Sequence, residues 1–147
     1  MGAPQPGRPL PAADDLTRPH WDAARAGRLE VQRCHDCGLY AHPPTPCCHR
    51  CLGTDLGFEV VSGRGTVYSV TETWSGARHP YFAERVPYPV AIIELDDQPG
   101  LLMYSNLPGT AAGELPRAGA VVHFVGDEAD GIPDFAVTDT PTSEAPH

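Results

Sequence analysis

The sequence predicts a mainly β protein: a short N-terminal helix, a metal-binding ribbon, then a small barrel of five strands. Three observations carry this. Two Cys-x-x-Cys pairs, Cys34 with Cys37 and Cys48 with Cys51, are separated by ten residues. After them come β-branched and aromatic runs divided by turn residues, with no convincing helix between them. Of the 147 residues, 17 are Pro and 15 are Gly, so much of the chain is turn and loop.

A chain of this length forms one or two small domains with one modest core. No run approaches the ~20 apolar residues that span a membrane. Met1–Ala13 is rich in Pro and Gly and lacks an apolar core, so it does not read as a secretory signal. The expectation is a cytoplasmic protein whose thiols stay reduced.

Residues 1–13 read as a disordered tail and 14–28 as the N-terminal helix. Asp14, Asp15 and Thr17 offer capping groups, and Pro19 sits in the first turn, where proline is tolerated. Trp21, Ala24 and Leu29 fall on or near one face, and Gly27 can end the helix. So short a helix needs a surface to pack on. Trp21 therefore contacts either the rest of this chain or a partner.

The ribbon is expected over 29–57, led in by the alternating run Leu29–Arg33. Each Cys-x-x-Cys forms a tight knuckle, with Gly38 and Gly53 free to take positive φ as the chain leaves. Pro43, Pro44 and Pro46 keep the crossing segment from becoming a helix. Cys34, Cys37, Cys48 and Cys51 can close a tetrahedral four-thiolate site on Zn2+. Such a site has no open position for water, so the metal is structural. Two disulfides, or four unconnected thiols, are the alternative. Cys47 is the spare cysteine, and His35, His42 and His49 are substitute ligands that a full tetrahedron does not need.

The barrel is expected over 58–140 and a frayed tail over 141–147. It opens with the run Phe58–Val61, and its strands are Thr66–Trp74, Tyr88–Leu95, Leu101–Ser105, Ala120–Val125 and Phe135–Thr140, about five in all. Short antiparallel strands with glycine-rich corners suit a nearly closed barrel of the OB-fold type; an open sandwich is the alternative. The Gly63-Arg64-Gly65 run reads as a β-turn and not a phosphate loop. Asp96-Asp97 and the acidic cluster at 127–130 read as solvated turns.

The loop over 75–87 holds the candidate binding residues Arg78, His79, Tyr81 and Phe82, with Arg85 in support. A guanidinium and an imidazole beside two aromatics suit a phosphate-bearing ligand or a partner surface. The other reading is that Tyr81 and Phe82 cap one end of the barrel. No nucleophile–base constellation is visible, so an independent hydrolase or thioesterase is a remote reading.

From this point the chain resembles the DUF35 family, a zinc ribbon of rubredoxin type joined to an OB-fold. The matching residues run from Trp21-Asp22-Ala23-Ala24-Arg25-Ala26-Gly27-Arg28-Leu29 through Gln32-Arg33-Cys34, Cys37-Gly38, Pro43-Pro44 and Cys48–Cys51. They resume at Ser62–Ser69, His79-Pro80, Phe82, Val86-Pro87-Tyr88, Val90-Ala91, Glu94-Leu95 and Asn106. His49 stands where the family usually has proline, and the residues after Gly126 match less well. The resemblance implies a non-catalytic accessory subunit in a hetero-oligomeric acyl-CoA-processing complex. The implied partner is a thiolase-like or aldolase subunit, with a MaoC-type hydratase as a further candidate. The implied ligand is an acyl-CoA thioester, and the first pathway expectation is steroid side-chain degradation.

A nucleic-acid-binding module is the competing class, since ribbons and OB-folds both serve there. Charge argues against it. The net charge is −9, and residues 58–147 carry all of it, with four Arg against thirteen Asp and Glu. That half lacks the basic footprint phosphate backbones require.

Overall fold

The computed structural model describes residues 7–75, 78–126 and 130–138. The expected strand end at Thr140 and the tail 141–147 lie outside the described residues, as do 1–6.

The helix α1 (Arg18–Arg25) is shorter than the stretch read for it. Asp14 does not cap it. Its carboxylate instead accepts the Thr17 N–H at 2.8 Å and the Thr17 hydroxyl at 2.9 Å, making a turn ahead of the helix. Pro19 occupies the first turn, and Gly27 leaves it at φ +81°. The helix buries His20, Ala23 and Ala24.

Three strands form the ribbon: β1 (Glu30–Cys34), β2 (Tyr40–Ala41) and β3 (Leu56–Val60), in the order β2-β1-β3. All five residues of β1 pair antiparallel with β3, from Glu30 opposite Val60 to Cys34 opposite Leu56. Of the run Phe58–Val61, which the sequence places at the start of the barrel, Phe58–Val60 thus completes the ribbon sheet. Alternation marks a strand but does not say which sheet it joins. At Val61 the chain passes to the barrel: its N–H donates to the Leu29 carbonyl at 3.0 Å.

The barrel comprises β4 (Arg64–Thr73), β5 (Tyr88–Leu95), β6 (Leu102–Ser105), β7 (Val121–Val125) and β8 (Asp134–Val137), with a single turn of helix, α2 (Pro80–Ala83), between β4 and β5. The order is β6-β5-β4-β7-β8, antiparallel throughout. A bulge between Val67 and Ser69 lets the long β4 serve both neighbours as it curves. Gly65 sits where β4 crosses β5 closely; a Cβ there would lie 2.5 Å from the Glu94 carbonyl oxygen.

One core runs through both parts. Val67, Ile93, Leu95, Met103, Val122 and Phe135 fill the barrel, and Leu29, Val31 and Val61 from the ribbon side join the same cluster. The Gln98 side chain adds a polar seam. Its carbonyl accepts the Tyr40 N–H at 2.9 Å and its amide donates to the Tyr40 carbonyl at 3.0 Å.

Candidate metal centre and ligand cleft

The metal centre is built from two knuckles with matching hydrogen bonds. In the first, the Gly38 N–H donates to the Cys34 carbonyl at 2.8 Å and the Cys34 N–H to the Leu39 carbonyl at 2.9 Å. In the second, Leu52 donates to Cys48 and Cys48 to Gly53, both at 2.8 Å. The left-handed position is Gly38 (φ +79°) in one knuckle and Leu52 (φ +63°) in the other. Sequence reasoning gave Gly53 that role. Gly53 does not take a left-handed conformation; a Cβ there would displace the exposed Asp36 carboxylate and come within 3.2 Å of the Cys51 sulfur.

These knuckles bring the Sγ atoms of Cys34, Cys37, Cys48 and Cys51 within 4.8 Å of one another. Cys34 to Cys51 and Cys37 to Cys48 are each 3.6 Å. Zinc–sulfur bonds of about 2.3 Å at tetrahedral angles place sulfurs about 3.8 Å apart, so the four thiols fit a zinc ion. The Arg50 and Gly53 N–H groups each lie 3.4 Å from a ligand sulfur, Cys48 and Cys51 respectively. The Leu39 N–H and then the Arg50 side chain pull Cys37 down to about 6. At Cys51 the Gly53 N–H also lowers the pKa, but the thiols of Cys34, Cys37 and Cys48 outweigh it and push Cys51 up to about 12. A Cys37 thiolate thus keeps the Cys51 thiol protonated until a cation arrives. Cys47 is exposed and outside this set, and the His35 ring faces Asp55 at 3.1 Å.

A cleft of about 680 Å³ opens beside α2. Tyr81 and Phe82 line it, together with Arg8, Arg85, Tyr88 and Asn106. Tyr81 meets Phe82 edge-on at 5.1 Å, and Phe82 lies 5.0 Å from Tyr88. Of the four residues expected to bind, these two line the cleft. His79 caps α2 instead, its Nδ1 accepting the Tyr81 N–H at 3.2 Å. Arg78 is exposed and does not line the cleft. The arginine that does is Arg85, four residues after Tyr81. Its guanidinium lies 3.6 Å over the Tyr81 ring, and its Nη1 donates to the Tyr81 carbonyl at 2.7 Å.

The cleft floor holds residues that sequence reasoning passed over. Arg8, from the stretch read as tail, pairs with Asp134, donates to Asn106 Oδ1 at 2.7 Å and lies 3.8 Å from Asp130. The hydrogen bond and charge of Asp134 outweigh burial and raise the Arg8 pKa. Asp134 also accepts the Asn106 N–H at 3.0 Å. Arg8 and Asp134 stand 126 residues apart, so no local pattern announces them.

Behind this floor, a hollow of about 260 Å³ is lined by His20, Trp21 and His42. The His20 ring sits 4.8 Å from Trp21 and 4.9 Å from His42, and its Nδ1 donates to the Glu30 carbonyl at 2.7 Å. Burial holds His20 below the usual histidine value. Burial, with the His20 charge, brings His42 down to about 4. Trp21 thus packs within the chain; its Nε1 and the His20 Nε2 are sealed from solvent with no hydrogen-bond partner among the described residues. Among those residues no helix is long and apolar enough to cross a membrane.

Comparison with known proteins agrees with this architecture. Residues 21–57 match the family model for the rubredoxin-like zinc ribbon domain of ChsH2, and residues 59–127 that for its C-terminal OB-fold domain. The chain is 37% identical over 109 residues to a probable enoyl-CoA hydratase alpha subunit from Thermomonospora curvata, covering 74% of this chain and 32% of that one. It is 32% identical over 99 residues to the 3-oxo-4,17-pregnadiene-20-carboxyl-CoA hydratase alpha subunit of Mycobacterium tuberculosis, covering 67% and 30%. The chain thus spans about a third of the length of these curated relatives. Among solved structures, it superposes on a chain of the Ltp2-ChsH2(DUF35) aldolase with a TM-score of 0.74 and 32% identity, covering 86% of this chain and 98% of that one. A DUF35 protein of unknown function from Sulfolobus solfataricus shares the fold, with a TM-score of 0.56 at 14% identity over 84% and 86%. Two knuckles poised for zinc, a barrel fused to them through one core, and likeness to almost the whole of a solved DUF35 chain place this protein in the DUF35 family, with the ChsH2 pairing of zinc ribbon and OB-fold.

Proposed function

We propose that the chain is a non-catalytic accessory subunit of an acyl-CoA-processing complex. Its partner is a thiolase-superfamily subunit of aldolase type, and its own barrel helps to receive the CoA thioester. The observation that carries this reading is the 32% identity over 98% of a solved chain whose name pairs it with an aldolase. The relatives' names supply the acyl-CoA class. The name of the M. tuberculosis relative, a steroid carboxyl-CoA, supports steroid side-chain degradation as the pathway.

The geometry is consistent with that role. Cys34, Cys37, Cys48 and Cys51 would fill a zinc ion's four positions and leave none for a reacting water, so the ion would hold the ribbon together. The cleft is concave, lined by aromatic and aliphatic side chains with a few fixed polar groups, as small-molecule sites are.

The test is affinity capture of the tagged chain from its own host, with mass spectrometry and light scattering on what comes with it. A thiolase-superfamily protein in fixed ratio is expected. A lone monomer, or a chain carrying nucleic acid, overturns the reading.

A further inference from the structure

The two arginines of the cleft differ in what already occupies them. Arg8 is on the floor with only 14% of its side chain exposed, and its charge is matched by Asp134 and Asp130. Arg85 stands at the exposed rim. Tyr81 holds it from two sides, by a face of its ring and by its carbonyl oxygen. That clamp takes one N–H of the five a guanidinium carries and fixes the plane of the rest. A donor fork fixed beforehand loses less freedom when a ligand arrives. Among the described residues no carboxylate lies within ion-pair distance of Arg85. Between rim and floor the walls are uncharged: Phe82, Tyr88, Leu107, Val125 and Ile132.

We propose that Arg85 is the anion-recognition residue of this cleft, binding a phosphate-bearing head group at the rim while an uncharged acyl end runs toward the Arg8–Asp134 floor. This rests on the acyl-CoA reading above and adds an orientation and a selectivity to it. A neutral acyl end meets a floor whose one cation is already paired and which carries one acidic charge in excess. An acyl end with its own free carboxylate meets Asp130 and Asp134 and is refused.

The experiment is calorimetric titration of the full zinc-loaded chain with octanoyl-CoA, with octanoyl-4′-phosphopantetheine, which keeps one phosphate but no adenosine, and with octanoyl-pantetheine, which lacks both; the Arg85-dependent preference is read between the last two. Octanoyl-4′-phosphopantetheine is expected to bind about tenfold more tightly than octanoyl-pantetheine, the worth of a charged hydrogen bond at a partly exposed site, and octanoyl-CoA at least as tightly. Arg85→Gln removes that preference and leaves octanoyl-pantetheine affinity unchanged, which a loss of fold would not do. Arg85→Lys, with the charge but not the fork, falls between. Arg78→Gln keeps the preference. A phosphate preference that survives Arg85→Gln, equal binding of octanoyl-4′-phosphopantetheine and octanoyl-pantetheine to the parent chain, or binding of none of the three overturns the proposal. Partner capture is read separately, so a chain that captures its partner without an Arg85-dependent preference defeats this inference alone. A chain that shows the preference but captures no partner defeats the accessory reading alone.

Discussion

The Ser105 hydroxyl, at the end of β6, accepts the backbone N–H of Phe135 in β8 at 2.8 Å. It also accepts the Leu107 N–H at 3.1 Å. β6 and β8 are the two ends of the five-stranded sheet, and among the described residues no strand ladder joins them. The barrel therefore closes at this point through two buried side chains, Ser105 from β6 and Asp134 from β8, the latter paired with Arg8.

Ser105→Ala leaves two buried N–H groups without their acceptor. Each orphaned donor costs about 1–3 kcal/mol, so the variant is expected to lose roughly 2 kcal/mol or more of stability. Urea unfolding followed by circular dichroism measures this. A loss below a few tenths of a kcal/mol would show that the seam does not depend on Ser105.

Removing metal should unravel the ribbon first. Cys34→Ser and Cys51→Ser are each expected to abolish stoichiometric zinc, measured by mass spectrometry of the metal, and to yield poorly soluble protein. Cys47→Ser is expected to retain one zinc per chain, because its thiol lies outside the cluster. Full occupancy in either ligand variant would contradict the four-thiolate assignment.

Acid should destabilise the fold through His42. Its folded pKa is depressed from 6.5 to about 4, so the unfolded chain binds the extra proton between those values. Stability from this group is therefore present above about pH 6.5 and is lost as pH falls toward 4. One such group contributes at most about 1.4 kcal/mol per pH unit in that window. Unfolding free energies of the parent and of His42→Leu, measured at several pH values, should differ in slope across it. Parallel curves would place the acid sensitivity elsewhere.

How much of this was legible in the sequence depended on how local each signal was. The knuckles were, because ligand spacing within a Cys-x-x-Cys pair is fixed by chain geometry. β5 was found to the residue, since Tyr88–Leu95 alternates cleanly between half-buried and buried positions and is bounded by turns. Arg85 was ranked below Arg78, because its stacking on Tyr81 needs the single turn of helix at Pro80–Ala83 to bring positions four apart together. His79 as cap and Pro80 in the first turn were the available clues. Arg8 had no clue at all: its surroundings are Pro- and Gly-rich, and its partner lies at the far end of the chain.

Gln98 serves Tyr40 as a short length of neighbouring strand would, offering one acceptor and one donor at peptide spacing. It lies in the turn between β5 and β6, at Asp96–Gly100. Hairpin turns at a protein surface commonly lengthen or shorten freely between relatives. This one is not free to, because its length sets the height at which the amide meets the ribbon. Insertions should accumulate in the other surface loops of this architecture and spare this turn, and a designer grafting a new ribbon onto the barrel must carry the turn with it.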